Sequence, residues 1–129
     1  MPKTLMDFVA AARERVEHVS ADELLEMRDT RNDLLIVDVR EESEFAAGHI
    51  PGARLIPRGT LEGAADPAYP KRDPELCKAR QRPIVVYCAT GGRSAMAADT
   101  LQQMGFEEVY NLAGGFDNWA AEDLPVEEG

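Results

Sequence analysis

Cysteine is scarce. The 129 residues hold only Cys77 and Cys88, too few for a disulfide-stapled scaffold or a zinc ribbon. In a reducing compartment both are expected to be free thiols. Basic residues are outnumbered as well: 14 Lys and Arg stand against 24 Asp and Glu, a net charge of −10. That balance disfavours a nucleic-acid or anionic-membrane partner, because a large phosphate footprint needs a basic face. It leaves room for a small anionic substrate, since a local positive pocket can exist on an acidic protein. No apolar run approaches the roughly 18 residues of a membrane span. The stretch Met1-Pro2-Lys3-Thr4-Leu5-Met6-Asp7 also lacks the apolar core of a signal peptide. A cytoplasmic setting is the expectation. Repeats, linkers and low-complexity segments are absent, and the length suits a single domain over residues 1–129 with a real hydrophobic core.

What is there centres on Pro83-Ile84-Val85-Val86-Tyr87-Cys88-Ala89-Thr90-Gly91-Gly92-Arg93-Ser94. The run Ile84 to Tyr87 is apolar without alternation, as in a strand buried on both faces of a parallel sheet. Gly91 and Gly92 allow a sharp turn. Ser94 to Met104 holds good helix formers with an apolar stripe at Met96, Ala97, Leu101 and Met104, and Gly105 ends it. A loop between a strand and a helix N-terminus aims unpaired backbone N–H groups at one point, and the helix dipole adds positive potential there. Arg93 adds a full charge. A thiolate at Cys88 would be stabilised in that place, with a pKa below the ordinary value of about 8.5. The predicted product is a nucleophilic sulfur at the floor of an anion-binding cradle.

The flanking chain alternates helix and strand signals. Leu5, Phe8, Val9, Ala12 and Val16 mark the buried face of an N-terminal helix, with Arg13, Glu14, Arg15 and Glu17 facing water. Ser20 and Glu23 form a capping box for a second helix carrying Leu24, Leu25 and Met27. Asp33 to Arg40 is a second buried strand, ending in Asp38 and Arg40 at the edge where open parallel sheets bind ligands. A short helix, Glu41 to Ala47, precedes the loop Gly48-His49-Ile50-Pro51-Gly52-Ala53, in which His49 reads as a hydrogen-bonded structural residue rather than a base. Ala53 to Ile56 is a short strand. The connection from Pro57 to Arg82, with a helix capped at Asp73-Pro74, is expected to wall one side of the site. Cys77, in that helix, reads as an ordinary thiol, with a resolving role for Cys88 left open. Phe106 to Leu112 is a further strand, and Phe116 to Ala121 a last helix packed through Phe116 and Trp119. This alternation predicts an α/β fold of three layers, with about five mainly parallel strands covered by helices on both faces.

Three signatures, in order and at matching spacing, carry a resemblance. They are Leu35-Ile36-Val37-Asp38-Val39-Arg40 with Glu44-Phe45 behind it, then Gly48 to Ala53, then Cys88 to Ser94 followed by Gly114-Gly115-Phe116 and Trp119. Over about residues 19–126 the chain resembles the rhodanese-like sulfurtransferases in their single-domain form, with the helix within residues 1–18 outside the shared core. The resemblance implies the rhodanese α/β fold. It also implies that Cys88 accepts sulfur as a persulfide, and that Ala89, Thr90, Gly91, Gly92 and Arg93 form the active-site loop, with Ser94 at its end. Asp38 matches an architectural position, and Arg40 is expected near the pocket rim as a further substrate contact.

The implied reaction moves sulfane sulfur from a small anion such as thiosulfate, through Cys88, to cyanide or a thiol, a protein thiol among them. It calls for no cofactor and no metal. Two other readings stand beside it. One is a non-enzymatic persulfide carrier or interaction module. The other is a cysteine-dependent phosphatase or arsenate reductase, whose loop places its arginine six positions after the cysteine. Here Arg93 comes one position sooner, which makes a tighter cradle.

Overall fold

The structure is a computed structural model, and it describes residues 1–129. Five strands form one sheet: β1 (Glu17–Val19), β2 (Leu35–Asp38), β3 (Arg54–Leu55), β4 (Pro83–Tyr87) and β5 (Glu108–Leu112). Their order is β1-β5-β4-β2-β3, and every pairing is parallel. The helices are α1 (Leu5–Arg15), α2 (Ala21–Thr30), α3 (Glu42–Ala47), α4 (Leu61–Ala65), α5 (Pro74–Cys77), α6 (Gly92–Gln103) and α7 (Gly115–Ala121). The three-layer arrangement read from the alternation is therefore present. The strand β1 is an addition: three residues, only one of them buried, are too few to show a period.

Side chains alternate across the sheet because successive Cβ atoms point to opposite faces. Val37, Ile84 and Val86 pack on one face with Leu61, Ala65, Leu76, Ala97 and Leu101 from α4, α5 and α6. Ile36, Val85 and Tyr87 pack on the other with Leu24 from α2 and Trp119 from α7. Both faces of β4 are thus covered, and all five of its residues are buried, which is why its sequence is apolar throughout. Cys88 continues the alternation of Ile84 and Val86 and emerges on the α6 side.

Two capping boxes set helix starts on that frame. Ser20 Oγ accepts from the Glu23 N–H at 3.1 Å while Glu23 accepts from the Ser20 N–H at 2.8 Å, as the sequence reading anticipates. Thr4 and Asp7 do the same for α1. That helix lies along α6 through Val9, Ala12 and the following Val16, all buried. Arg15 holds it there with a forked pair onto Asp99 of α6, the closest contact 3.0 Å. Leu5 and Phe8 depart from the expected buried face. They are 66% and 53% exposed, because α1 rests on a single helix and only the Val9–Ala12–Val16 line meets it.

Candidate active site

The loop after β4 is shaped from behind. The carbonyls of Cys88 and Ala89 accept hydrogen bonds from the N–H groups of Phe116 and Asp117, at 2.8 and 3.0 Å. These donors belong to the first turn of α7, which has no intrahelical acceptor for them. With both carbonyls turned toward α7, the Thr90 N–H that follows the second of them faces the sulfur. The approach is close enough to demand glycine at 115: a Cβ there would stand 2.5 Å from the Cys88 carbonyl oxygen, and the backbone is at φ +59°. Gly91 caps α6 at φ +107°, again a conformation glycine adopts without steric cost.

The side chain of Cys88 is 1% exposed. Its inner side is core, and its outer side forms the floor of a cavity of about 350 Å³. The N–H of Gly91 donates to Sγ at 3.1 Å, and the Ser94 hydroxyl donates to it at 3.4 Å. Burial opposes ionisation of this thiol. The Ser94 hydroxyl and the backbone N–H groups of Ser94, Gly91 and Thr90 outweigh that and hold the pKa below the ordinary thiol value. Neutral donors thus lead in favouring the anion.

Ser94 leads deeper. Its Oγ lies 2.5 Å from Asn111 Oδ1, whose Nδ2 donates to His18 Nδ1 at 3.2 Å and to the Gly91 carbonyl at 3.4 Å. His18 Nε2 in turn reaches the Arg13 carbonyl at 3.0 Å. A neutral His18 protonated on Nε2 satisfies every contact. A hydroxyl carries one proton, so Ser94 gives it to Asn111 when Cys88 is a thiol that donates to Ser94 Oγ, and turns it to sulfur when Cys88 is a thiolate. Asn111, 2% exposed on β5, had no sequence signal beyond being a polar residue in an apolar strand.

Of the two arginines expected at the site, Arg93 lines the cavity over Cys88 and Arg40 does not. Arg93 forks onto Glu44 of α3, Nη1 to Oε1 at 3.0 Å and Nη2 to Oε2 at 3.1 Å. The Arg93 guanidinium, joined by the Glu41 N–H, holds the Glu44 carboxyl at about 2 despite partial burial. Arg93 lines the cavity, but its charge is already met. Arg40 corrects the expectation of a rim position: it is 4% exposed, with Nη2 2.8 Å from Asp38 Oδ2 and 2.7 Å from the Gly48 carbonyl. Its guanidinium also lies 4.4 Å over the ring of Phe116. Buried against an aromatic face and held by Asp38 and the Gly48 carbonyl, it ties the end of β2 to α3 and α7. Asp38 plays the architectural part expected of it, accepting the Arg40 N–H at 2.9 Å as well.

His49 is buried and stacked on Phe45 at 3.6 Å, with Nδ1 donating to the Phe45 carbonyl at 2.9 Å. That is the structural role read for it. The Cys77 thiol donates to the Ala64 carbonyl at 3.3 Å and is not disulfide-bonded.

The wall of the cavity is the main departure. The 57–82 connection does not form it; that segment lines a separate cavity with Gly59, Glu62 and Tyr69. Helix α1 closes the space over Cys88 instead, with Leu5, Met6, Val9 and Arg13 opposite Met96 and Arg93. Arg13 faces water, as read from the sequence, and its side chain also lines the cavity. Its Nη2 lies 3.7 Å from where a Cβ on Gly91 would stand, and no carboxylate pairs with it. It is the unpaired cation of the site.

Known proteins bear on this arrangement. The family model described as Rhodanese-like domain matches residues 20–122. Thiosulfate sulfurtransferase GlpE of Pseudoalteromonas translucida is 33% identical over 105 residues, covering 81% of this chain and 90% of that protein. Uncharacterized protein YqhL of Bacillus subtilis is 42% identical over 84 residues, 65% of this chain, and the match spans only 59% of that protein's length. Among solved structures, a protein of unknown function and possible tyrosine phosphatase from Rhodopseudomonas palustris superposes with a TM-score of 0.87 at 33% identity, covering 98% of this chain and 99% of its own.

Proposed function

The chain belongs to the rhodanese-like domain family, and on that premise we propose that it is a sulfurtransferase working through a persulfide on Cys88. Sulfurtransferase chemistry in general is what the family and relatives such as GlpE support. The single observation that carries the finer reading is the sulfur itself: a thiol at a cavity floor, kept below its ordinary pKa by the Gly91 N–H and the Ser94 hydroxyl.

In the first step the Cys88 thiolate attacks the outer sulfur of a sulfane donor. With thiosulfate, the S–S bond of the donor breaks, sulfite departs with its electron pair, and Cys88 becomes a persulfide anion. In the second step an acceptor nucleophile takes the outer sulfur: cyanide leaves as thiocyanate, or a thiolate leaves as its own persulfide, and the Cys88 thiolate is regenerated. Covalent catalysis of this kind gives ping-pong kinetics. No separate base is needed where the Gly91 N–H and the Ser94 hydroxyl keep Cys88 as its thiolate. The N–H groups that stabilise the thiolate lie within reach of the persulfide's charge. The loop residues Ala89, Thr90, Gly91, Gly92 and Ser94 supply this cradle, and Arg13 supplies the charge assigned from sequence to Arg93. Residues 1–129 work as one unit in this reading, since α1 completes the cavity. An unpaired nucleophilic cysteine suits a cytoplasmic setting, where thiols stay reduced.

A phosphatase would need its loop arginine to grip the phosphate, and Arg93 is committed to Glu44. A carrier passing sulfur to another protein's thiol would need a sulfur more open than one 1% exposed beneath a helix, which favours small acceptors. The test is mass spectrometry of the intact chain after thiosulfate treatment. The expected result is a gain of one sulfur, removed by cyanide and absent from Cys88→Ser. No gain, or a gain retained by Cys88→Ser, overturns the proposal.

A further inference from the structure

The cavity over Cys88 is built for more than an inorganic anion. At about 350 Å³ it falls in the range of roughly 300–1,000 Å³ that holds small organic ligands. Its wall opposite the sulfur loop is hydrocarbon: Leu5, Met6 and Val9 from α1 and Met96 from α6. Leu5 and Met6 are 66% and 59% exposed, so apolar surface continues from the cavity to its mouth. Charge at the site is limited. Arg93 is neutralised by Glu44, a carboxylate held ionised by that same pair. Arg13 alone offers an unmatched positive charge.

A thiosulfate dianion gains little here. Entering strips hydration from two negative charges, and one cation meets them beside an apolar wall. A monoanion with a hydrocarbon group fits both halves. We propose that the donor of this protein is an organic sulfane-sulfur monoanion, its negative head on the Gly91–Ser94 donors and Arg13 and its hydrocarbon body against Leu5, Met6, Val9 and Met96. This inference rests on the sulfurtransferase reading above. For a thiosulfonate the step is balanced as follows. The Cys88 thiolate forms a bond to the outer sulfur of R–SO₂–S⁻, the S–S bond of the donor breaks, and the sulfinate R–SO₂⁻ leaves with the electron pair. The persulfide anion remains on Cys88, with two negative charges before and two after. Nothing is required from an outside oxidant or proton donor.

The experiment compares benzenethiosulfonate, methanethiosulfonate and thiosulfate as donors, with cyanide as acceptor. Benzene- and methanethiosulfonate share one head and differ in the hydrocarbon. The expected kcat/KM ratio of phenyl to methyl donor is about tenfold, on the area a ring buries beyond a methyl group. In a Leu5→Ser/Met6→Ser double variant that ratio falls at least about threefold; both side chains are largely exposed, so the fold does not depend on them, and the intrinsic reactivity of the donors cancels between proteins. Phe8→Ser, on the same helix but outside the cavity, keeps the wild-type ratio. Arg13→Gln lowers kcat/KM for phenyl and methyl donors alike, since it removes charge and not hydrocarbon contact. A ratio unchanged by the double variant overturns the apolar half of the proposal, and anion kinetics unchanged by Arg13→Gln overturn the charge half. If thiosulfate loads Cys88 but the phenyl donor gains nothing over methyl, this inference alone fails. If no donor places sulfur on Cys88, the sulfurtransferase reading itself fails.

Discussion

β2 and β4 are neighbours in the sheet, paired Asp38 to Tyr87 at their ends, and they treat charge in opposite ways. At the end of β2, Asp38 and Arg40 form an ion pair at 2.8 Å with side-chain exposures of 0% and 5%. Arg40 Nε and Nη2 both meet acceptors there, and the aromatic ring of Phe116 covers the guanidinium. At the end of β4 the sulfur is favoured toward its anion by neutral groups, an N–H, a hydroxyl and the helix start behind them. A buried charge with a full partner is inert and structural. A charge held by weak neutral donors beside an open cavity is available to react. The same edge of the sheet therefore serves as an anchor at one strand and as a reaction floor at the next.

The strongest way to break that contrast is at the anchor. Asp38→Ala leaves the Arg40 guanidinium buried without its carboxylate, and the expected loss of stability is about 3–5 kcal/mol. Chemical denaturation reads it directly. Replacing both partners by apolar residues, Asp38→Leu with Arg40→Met, is expected to recover most of the loss, since a well-packed apolar pair often matches a buried ion pair. A midpoint for Asp38→Ala no lower than that of a surface substitution would mean that Arg40 reaches solvent, and would return it to the pocket rim.

The anchor and the floor differed in how far the sequence exposed them. The strand–cysteine–glycine–helix order was legible, because an apolar run without alternation, two glycines and a run of helix formers each carry a local signal. The capping box at Ser20 was legible for the same reason. Which cation serves the cysteine was not. Arg93 is adjacent in sequence, but its guanidinium finds Glu44 on α3, 49 positions earlier. Arg13 is distant in sequence and reaches the loop only because α1 lies along α6. That docking depends on Val9, Ala12 and the Arg15–Asp99 pair, contacts between segments that no local pattern announces.

A subtler lever sits at the floor. Ser94→Ala removes the hydroxyl donor to Cys88 and leaves the Gly91 N–H in place. The thiolate should lose about 1 kcal/mol of stabilisation, or roughly fivefold in its population at neutral pH. Iodoacetamide alkylation followed against pH reports it: the midpoint moves up, toward the ordinary thiol value. Because the folded pKa lies below the unfolded one of about 8.5, the thiolate contributes stability above about 8.5 and loses that contribution as pH falls through the folded value. Wild type and Ser94→Ala should therefore differ more in denaturation midpoint at alkaline pH than at pH 6. An unchanged alkylation profile would show that the backbone alone sets the anion, and the floor would be as insensitive to side chains as any helix start.

The smallest effect expected is at the link between the two strand ends, the Glu44–Arg93 pair. Its side chains are 33% and 38% exposed, so solvent screens it, and Glu44→Gln should cost under about 1 kcal/mol at neutral pH. The folded carboxyl stands at about 2 against an ordinary 4.5. Its contribution is present above 4.5 and fades as pH falls toward 2, so variant and wild type should converge in stability over that acid range. The catalytic readout runs the other way. Glu44→Gln frees Arg93, which already lines the cavity, and the site then holds two unmatched cations in place of one. KM for thiosulfate, a dianion, should fall, while KM for a monoanionic thiosulfonate should move less. A rise in thiosulfate KM would mean that Arg93 grips the anion only when Glu44 holds it in place, and the floor of β4 would then depend on a paired charge just as the anchor of β2 does.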